Sequence, residues 1–255
     1  MAVYRFVVAY DGAPFHGFQR QPGLPTVQGA IEEALEKLFG EEIRTSVAGR
    51  TDAGVHALAQ VVSFAAREGK DPAELQRKLN SMCGPAIAVV AADVAPDGFD
   101  ARFSALSRTY EYGIFTRDVH DPFSRHTTWH FPEPLDEKIM GKAAQALIGE
   151  HSFASFGRVE DGQSPTRRIE MLTVERNGDL IVIRVTANSF LQQMVRSIVG
   201  TLVAVGTGKI DPDDIEGIIE AKDRSAAGSV APPHGLFLVS VSYPEELAIP
   251  NFEEH

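Results

Sequence analysis

The sequence predicts an α+β protein made of two halves, each an antiparallel sheet with helices packed on it. Three observations predict it. Residues 1–103 read in the order β-α-β-β-α-β, the ferredoxin-like split arrangement. The remainder reads roughly β-β-α-β-β-α-α-β, a second α+β set of similar size with no visible sequence repeat. With 255 residues, 44% hydrophobic and 23% charged, the chain is long and apolar enough to fill two cores. The expected domains are 1–103 and 104–255, joined near 99–107 and enclosing a central cleft.

In order, residues 4–10 form a β-run ending in an Asp-Gly turn, and the loop that follows carries Phe15, His16, Phe18, Gln19 and Arg20. Aromatics and amides at that density point to an ordered loop. Thr26 is placed to cap a helix through residue 39, with Val27, Ile31, Leu35 and Leu38 at helical spacing and Gly40 as the stop. Strands are expected at 42–47 and 60–65. Asp71, Pro72 and Glu74 supply a cap, a first-turn proline and a capping-box acid for a helix to about residue 81, before a strand at 87–94. The second half is expected to hold strands at 103–115 and 127–131 and a helix at 135–148. A hairpin at 166–175 and 180–187, helices at 190–205 and 211–221, and a strand at 236–242 complete it.

Composition narrows the function classes. The single cysteine, Cys83, excludes an internal disulfide framework and a cysteine-based zinc site. The first residues enter a strand pattern with no signal-peptide character, and the most apolar stretch, 86–94, is too short to span a membrane. A cytoplasmic protein is expected. The formal net charge of −11 opposes nucleic-acid binding taken as a sum, but not a local basic patch on an acidic body. Arg20, Arg50, Arg102, Arg108, Arg158, Arg167, Arg168 and Arg196 lie in weakly charged segments. Acids cluster elsewhere, at 32–36, at 211–216 and in the tail at Glu253 and Glu254.

Three constellations can carry chemistry. The first is G-R-T-D-A-G-V-H, residues 49–56, where two glycines frame Asp52 with Arg50 two residues before it. It reads either as an Asx-type turn or as a carboxylate presented to another molecule; His56 reads as a base or as a structural histidine. The second is the alternation of Ser104, Leu106, Arg108, Tyr110 and Tyr112 along one strand face, either a core edge or an aromatic platform for an unpaired base. The third is the apolar helix 190–205, which carries Gln192, Gln193 and Arg196 on one stripe. Arg196 either snorkels to water or meets a carboxylate, for which Asp52 is the best candidate. No metalloprotease, nucleophile-elbow or clustered metal-ligand motif is present, and Gly206–Lys209 lacks the Ser/Thr a phosphate loop needs.

Several blocks in order resemble the TruA family of tRNA pseudouridine synthases over nearly the whole length: Y-D-G-A-P-F-H-G-F-Q-R-Q-P from Tyr10, T-V-Q-G-A-I-E from Thr26 and G-R-T-D-A-G-V-H-A from Gly49. They continue with F-D-A-R-F-S-A-L-S-R-T-Y-E-Y from Phe99, G-E-H-S-F-A-S-F from Gly149, F-L-Q-Q-M-V-R-S-I-V-G-T-L from Phe190 and A-P-P-H-G-L from Ala231. Phe18 stands where the family often has tryptophan. The resemblance implies two pseudo-symmetric ferredoxin- or RRM-like α+β domains with antiparallel sheets and a central active-site cleft, assembled as a homodimer. It implies isomerisation of uridine to pseudouridine at positions 38, 39 and 40 of the tRNA anticodon stem-loop, with no metal or organic cofactor and no membrane. It makes Asp52 the catalytic nucleophile, Tyr110 the contact to the target base and Arg50 the residue that draws the nucleotide from the stem. Arg196 becomes the partner of Asp52, and Leu236 a wall of the base pocket. Two alternatives stand beside it. One is a catalytically silent RNA-binding protein, against which the intact Asp52 argues. The other is a nucleoside hydrolase, which calls for a second cleft carboxylate or a metal.

Overall fold

The computed structural model of the chain describes residues 1–67, 69–159 and 162–249; the acidic tail at Glu253 and Glu254 lies outside the described residues. The elements run β1 (Ala2–Tyr10), α1 (Val27–Phe39), β2 (Ser46–Val47), β3 (His56–Ala66), α2 (Pro72–Cys83) and β4 (Ile87–Ala95). They continue β5 (Ser107–Phe115), β6 (Trp129–His130), α3 (Glu137–Ala144), β7 (Gly149–Ser152), β8 (Thr166–Asn177) and β9 (Leu180–Ala187). Last come α4 (Met194–Gly206), α5 (Ile215–Ala221) and β10 (Leu236–Ser242). The chain divides into two compact units, residues 1–108 with 237–255, and residues 109–236.

In the first unit the strands lie in the order β4-β1-β3-β10. β1 is antiparallel to both β4 and β3, β10 is parallel to the start of β3, and β2 pairs antiparallel further along β3. Period-two alternation puts Tyr4, Phe6 and Val8 into one core with Phe64 of β3, Ile31 and Leu35 of α1, and Leu75 and Leu79 of α2, all buried. Tyr4 stacks on Phe64 at 5.4 Å between ring centroids, and Phe6 meets the same ring edge-on at 5.1 Å. Thr26 caps α1 by accepting from Gly29 N–H, and Gly40 ends it in the left-handed conformation, as the spacing predicts. Asp71 caps α2 through Ala73 N–H. Glu74 of the expected capping box instead pairs with Lys78, four residues on, at 2.6 Å.

In the second unit the order is β5-β9-β8-β7, with β6 parallel to the end of β5. β8 and β9 form the expected hairpin, and β7 is antiparallel to β8. α4 is buried almost all round, with Met194, Ile198, Val199 and Leu202 in the core. No helix among the described residues is long and apolar enough to cross a membrane.

Several boundaries depart from the sequence expectation, most of them where a side chain or a turn carbonyl takes backbone groups that a ladder or helix would have used. The strand expected at 42–47 shrinks to β2 because Thr45 gives both its N–H and its hydroxyl to the buried Glu32 of α1, each at 3.0 Å. The strand expected from residue 103 starts only at Ser107. Asp100 accepts the N–H groups of Arg102 (2.8 Å) and Phe103 (2.9 Å) and folds that stretch into a turn. β6 is cut to two residues by a turn in which Ser124 C=O accepts from Thr127 and Thr128, both at 2.9 Å. The helix expected at 135–148 is α3 followed by a 3-10 turn, Gln145–Leu147, and the unanticipated β7. The helix expected from Asp211 opens as a 3-10 turn before α5. α4 begins four residues later than expected because Gln193 is left-handed (φ 63°) and Gln192 C=O accepts from Arg158 N–H at 3.0 Å. Gln192 and Gln193 therefore do not share a helical stripe with Arg196.

Candidate active site

The Asp52 segment lies in the first unit and is built by the strands on either side of it. β2 delivers the chain to Gly49, and there the buried amide of Gln60 holds the backbone from both sides. Gln60 Nε2 donates to Gly49 C=O at 2.6 Å, and Gly49 N–H donates to Gln60 Oε1 at 3.3 Å. The next anchor is Thr51, whose hydroxyl lies 2.8 Å from the hydroxyl of Tyr10 at the end of β1. Burial pushes the Tyr10 hydroxyl up to about 12, against the lowering effect of Thr51 and Gln60, so it stays protonated. Asp52 and Val55 then close a turn, Val55 N–H donating to Asp52 C=O at 3.1 Å, with Gly54 at φ 79°. Asp52 is half-buried and Arg50 exposed.

The loop after β1 braces the same turn. Phe18 N–H donates to Thr51 C=O at 3.1 Å. Gly12 lies so close that a Cβ there would sit 2.0 Å from Val55 O. Gly12 N–H donates to His56 Nδ1 at 3.1 Å, which puts the proton of a neutral ring on Nε2. Asp11 Oδ1 lies 3.2 Å from that nitrogen, but already accepts from Ala13 N–H at 2.9 Å. Phe237 of β10 stacks on the imidazole, 4.6 Å between centroids. His56 is buried, and this geometry fits the structural reading of it.

The second unit holds Arg196 on α4, Tyr110 and Tyr112 on β5, and Leu236. Arg196 Nε donates to Ala231 C=O at 2.7 Å, and Ala231 N–H donates back to Arg196 C=O at 3.0 Å. Leu236, four residues beyond the Pro232 carbonyl, is buried. Tyr110 is buried with its ring edge-on to Phe190, 5.1 Å between centroids. Tyr112 is fully buried and donates to Pro232 C=O at 2.8 Å. Burial raises its hydroxyl far above the ordinary tyrosine range, and the charge of Arg196 only partly opposes this. The two tyrosines therefore do not form an exposed platform; Tyr112 is a core residue. Arg108, expected as a charged arm beside them, is buried in the first unit and donates to the carbonyls of Ala48 (2.9 Å), Ala105 (3.2 Å) and Arg102 (2.7 Å).

A family model described as "tRNA pseudouridine synthase" matches residues 6–104 and 143–244, which takes in Asp52 and Arg196. The chain belongs to the tRNA pseudouridine synthase family. Among its relatives, "tRNA pseudouridine synthase A" of Allorhizobium ampelinum is 45% identical over 250 residues, covering 96% of each chain. The same-named protein of Agrobacterium fabrum is 45% identical over 249 residues, covering 96% of this chain and 94% of its own. That of Rhodopseudomonas palustris strain BisA53 is 44% identical over 245 residues, covering 95% of this chain and 100% of its own.

Two parts of the scaffold around Asp52 are not singled out by the sequence. These are Gln60 and the Tyr10–Thr51 hydroxyl pair. A signal for Gln60 exists, since it is a polar residue at a core-facing position of an apolar strand. Among the described residues no group of three or more His, Cys, Asp or Glu is placed to hold a metal ion. Gln60→Leu keeps the volume but leaves the N–H and C=O of half-buried Gly49 without those partners. The expected cost is about 2–6 kcal/mol, at ~1–3 kcal/mol for each of the two groups. Urea unfolding checks this, and faster amide exchange at residues 51–55 should accompany it.

Proposed function

We propose that the protein isomerises uridine to pseudouridine at positions 38, 39 and 40 in the anticodon stem-loop of tRNA, with Asp52 as the nucleophile and no metal or organic cofactor. The observation that carries this reading is Asp52 itself: a single carboxylate in a G-R-T-D-A-G-V-H-A turn held by Gln60, Tyr10, Gly12 and Phe18, in a chain of this family. The reaction breaks the C1′–N1 bond, turns the uracil and joins C1′ to C5, and the C5 hydrogen leaves to water. An ionised carboxylate serves either by attacking C1′, as in a retaining glycosidase, or by assisting elimination to a glycal. No second acid is needed to activate water, because water must be kept from the intermediate.

The remaining roles are those the family resemblance implies. Tyr110 contacts the target base, and its burial favours an environment from which water is excluded. Arg196 is the charge partner of Asp52. Leu236 lines the base pocket. Arg50 is exposed and adjacent to the nucleophile's turn, suited to drawing a nucleotide from the stem, a step that costs a few kcal/mol. The acidic net charge calls for a narrow basic track and a salt-sensitive complex. A homodimer working in the cytoplasm completes the proposal.

The test uses tRNA transcripts tritiated at uridine C5, with no metal added. The expected result is release of tritium to water, with the product mapped to the anticodon stem-loop. Binding without release from any tRNA would favour a silent RNA-binding protein on the same scaffold.

A further inference from the structure

The turn at 100–106, in the first unit, is not used by any step above, yet it is among the most heavily fixed segments of the chain. Asp100 Oδ1 accepts from Arg102 N–H, Phe103 N–H and the Ser46 hydroxyl (3.1 Å), while Asp100 N–H donates to Ser104 Oγ at 3.1 Å. Ala101 N–H donates to Ser63 Oγ at 3.0 Å, and Ala101 C=O accepts from the Tyr243 hydroxyl at 2.8 Å. What this framework presents is polar-aromatic: Phe103 is 82% exposed, and the guanidinium of exposed Arg102 lies over its ring, 5.5 Å from the centroid.

A single exposed aromatic is ordinary on a protein surface, but here Phe103 stands with exposed Leu106 and Arg102 on a turn whose backbone is already ordered, so a partner that meets it has only side-chain freedom left to restrict. The turn's position is fixed relative to the Asp52 loop. Arg108 ties Arg102 C=O to Ala48 C=O, one residue before the Gly49 that Gln60 clamps, and the Ser46–Asp100 bond fixes the same strand. A base stacks on an aromatic face beside a guanidinium, and the same guanidinium suits a phosphate. A purely apolar partner makes no use of a cation laid over the ring.

We infer that Arg102 and Phe103 form an RNA-contacting tip. The open face of Phe103 stacks on a nucleobase near the target nucleotide, and Arg102 meets the neighbouring phosphate. This rests on the tRNA reading above and adds to it a positioning element that touches RNA away from the reacting atoms.

The experiment measures tritium release under single-turnover conditions against enzyme concentration, for the full chain and for Phe103→Ala, Phe103→Leu, Phe103→Trp and Arg102→Gln. Phe103→Ala is expected to raise the half-saturating concentration about tenfold or more, the scale of one lost base stack, with the maximal rate within about twofold. Phe103→Leu should be as impaired as Phe103→Ala, and Phe103→Trp should restore binding. Arg102→Gln should flatten the dependence of log affinity on log salt by about one. An active wild type with unchanged Phe103→Ala, or full rescue by Phe103→Leu, overturns the inference alone. So does a change in sedimentation of RNA-free Phe103→Ala, which would make the tip a contact between copies of the chain. A wild type that releases no tritium overturns the isomerase reading instead. Thermal melts matching the wild type confirm that the exposed substitutions leave the fold intact.

Discussion

Asp52→Asn is expected to abolish tritium release, by at least about 10³-fold, while tRNA affinity stays within about threefold. The argument is geometric before it is chemical. The turn is closed by Val55 N–H on Asp52 C=O, and its flank is held by Phe18 N–H on Thr51 C=O, both at 3.1 Å. Those bonds use the backbone, so an isosteric amide leaves them in place. Asn cannot attack C1′ as an anion and cannot assist elimination as a base, so both routes lose their reacting group. Single-turnover release and a filter-binding isotherm on the same tRNA separate the two quantities. Activity surviving in Asp52→Asn would remove the nucleophile assignment. Affinity falling in step with activity would make Asp52 a binding group.

The scale of what was legible in the sequence follows from what each signal depends on. Caps and periodicity are local, so α1 with Thr26 and Gly40, the β8–β9 hairpin and the β-run of β1 could be read directly. The blocks around Gly49 and Phe190 are local in the same way. What was not legible depends on partners distant in sequence. Glu32 takes Thr45 from the strand expected before β2, thirteen residues away. Arg158 fixes Gln192 outside α4 from thirty-four residues away. Tyr112 looked like a neighbour of Tyr110 on a binding face, but the carbonyl of Pro232 buries its hydroxyl. Alternation gives the face of a strand and not what covers it. The support of Asp52 by Gln60 and Gly12 is of this second kind, and so is the burial of Arg5.

Asp93→Ala is expected to destabilise the protein by about 3–5 kcal/mol, the cost of leaving a buried charge without its partner. Arg5 lies on the β1 face opposite Tyr4 and Phe6 and is 1% exposed. Asp93 of the neighbouring β4 grips it with two oxygens, Nε to Oδ1 at 3.0 Å and Nη2 to Oδ2 at 2.6 Å. Two further donors go to the carbonyls of Leu247 and Ala248, and Phe99 lies under it, 4.8 Å from ring centroid to guanidinium carbon. Removing the carboxylate strands a cation that carbonyls and one ring solvate only in part. The loss is a large fraction of a total stability of about 5–15 kcal/mol, and urea unfolding reads it directly. The double variant Arg5→Met with Asp93→Ala should recover much of the loss, because an apolar pair no longer pays to desolvate two charges. The double variant, which lacks the guanidinium, should also expose the stretch around Leu247 and Ala248 to protease, since Arg5 donates to both carbonyls. A single Asp93→Ala within about 1 kcal/mol of the wild type would show that the guanidinium reaches water or another acceptor. The outcome bears on the site as well, because β1 carries Arg5 at one end and Tyr10, the anchor of Thr51, at the other.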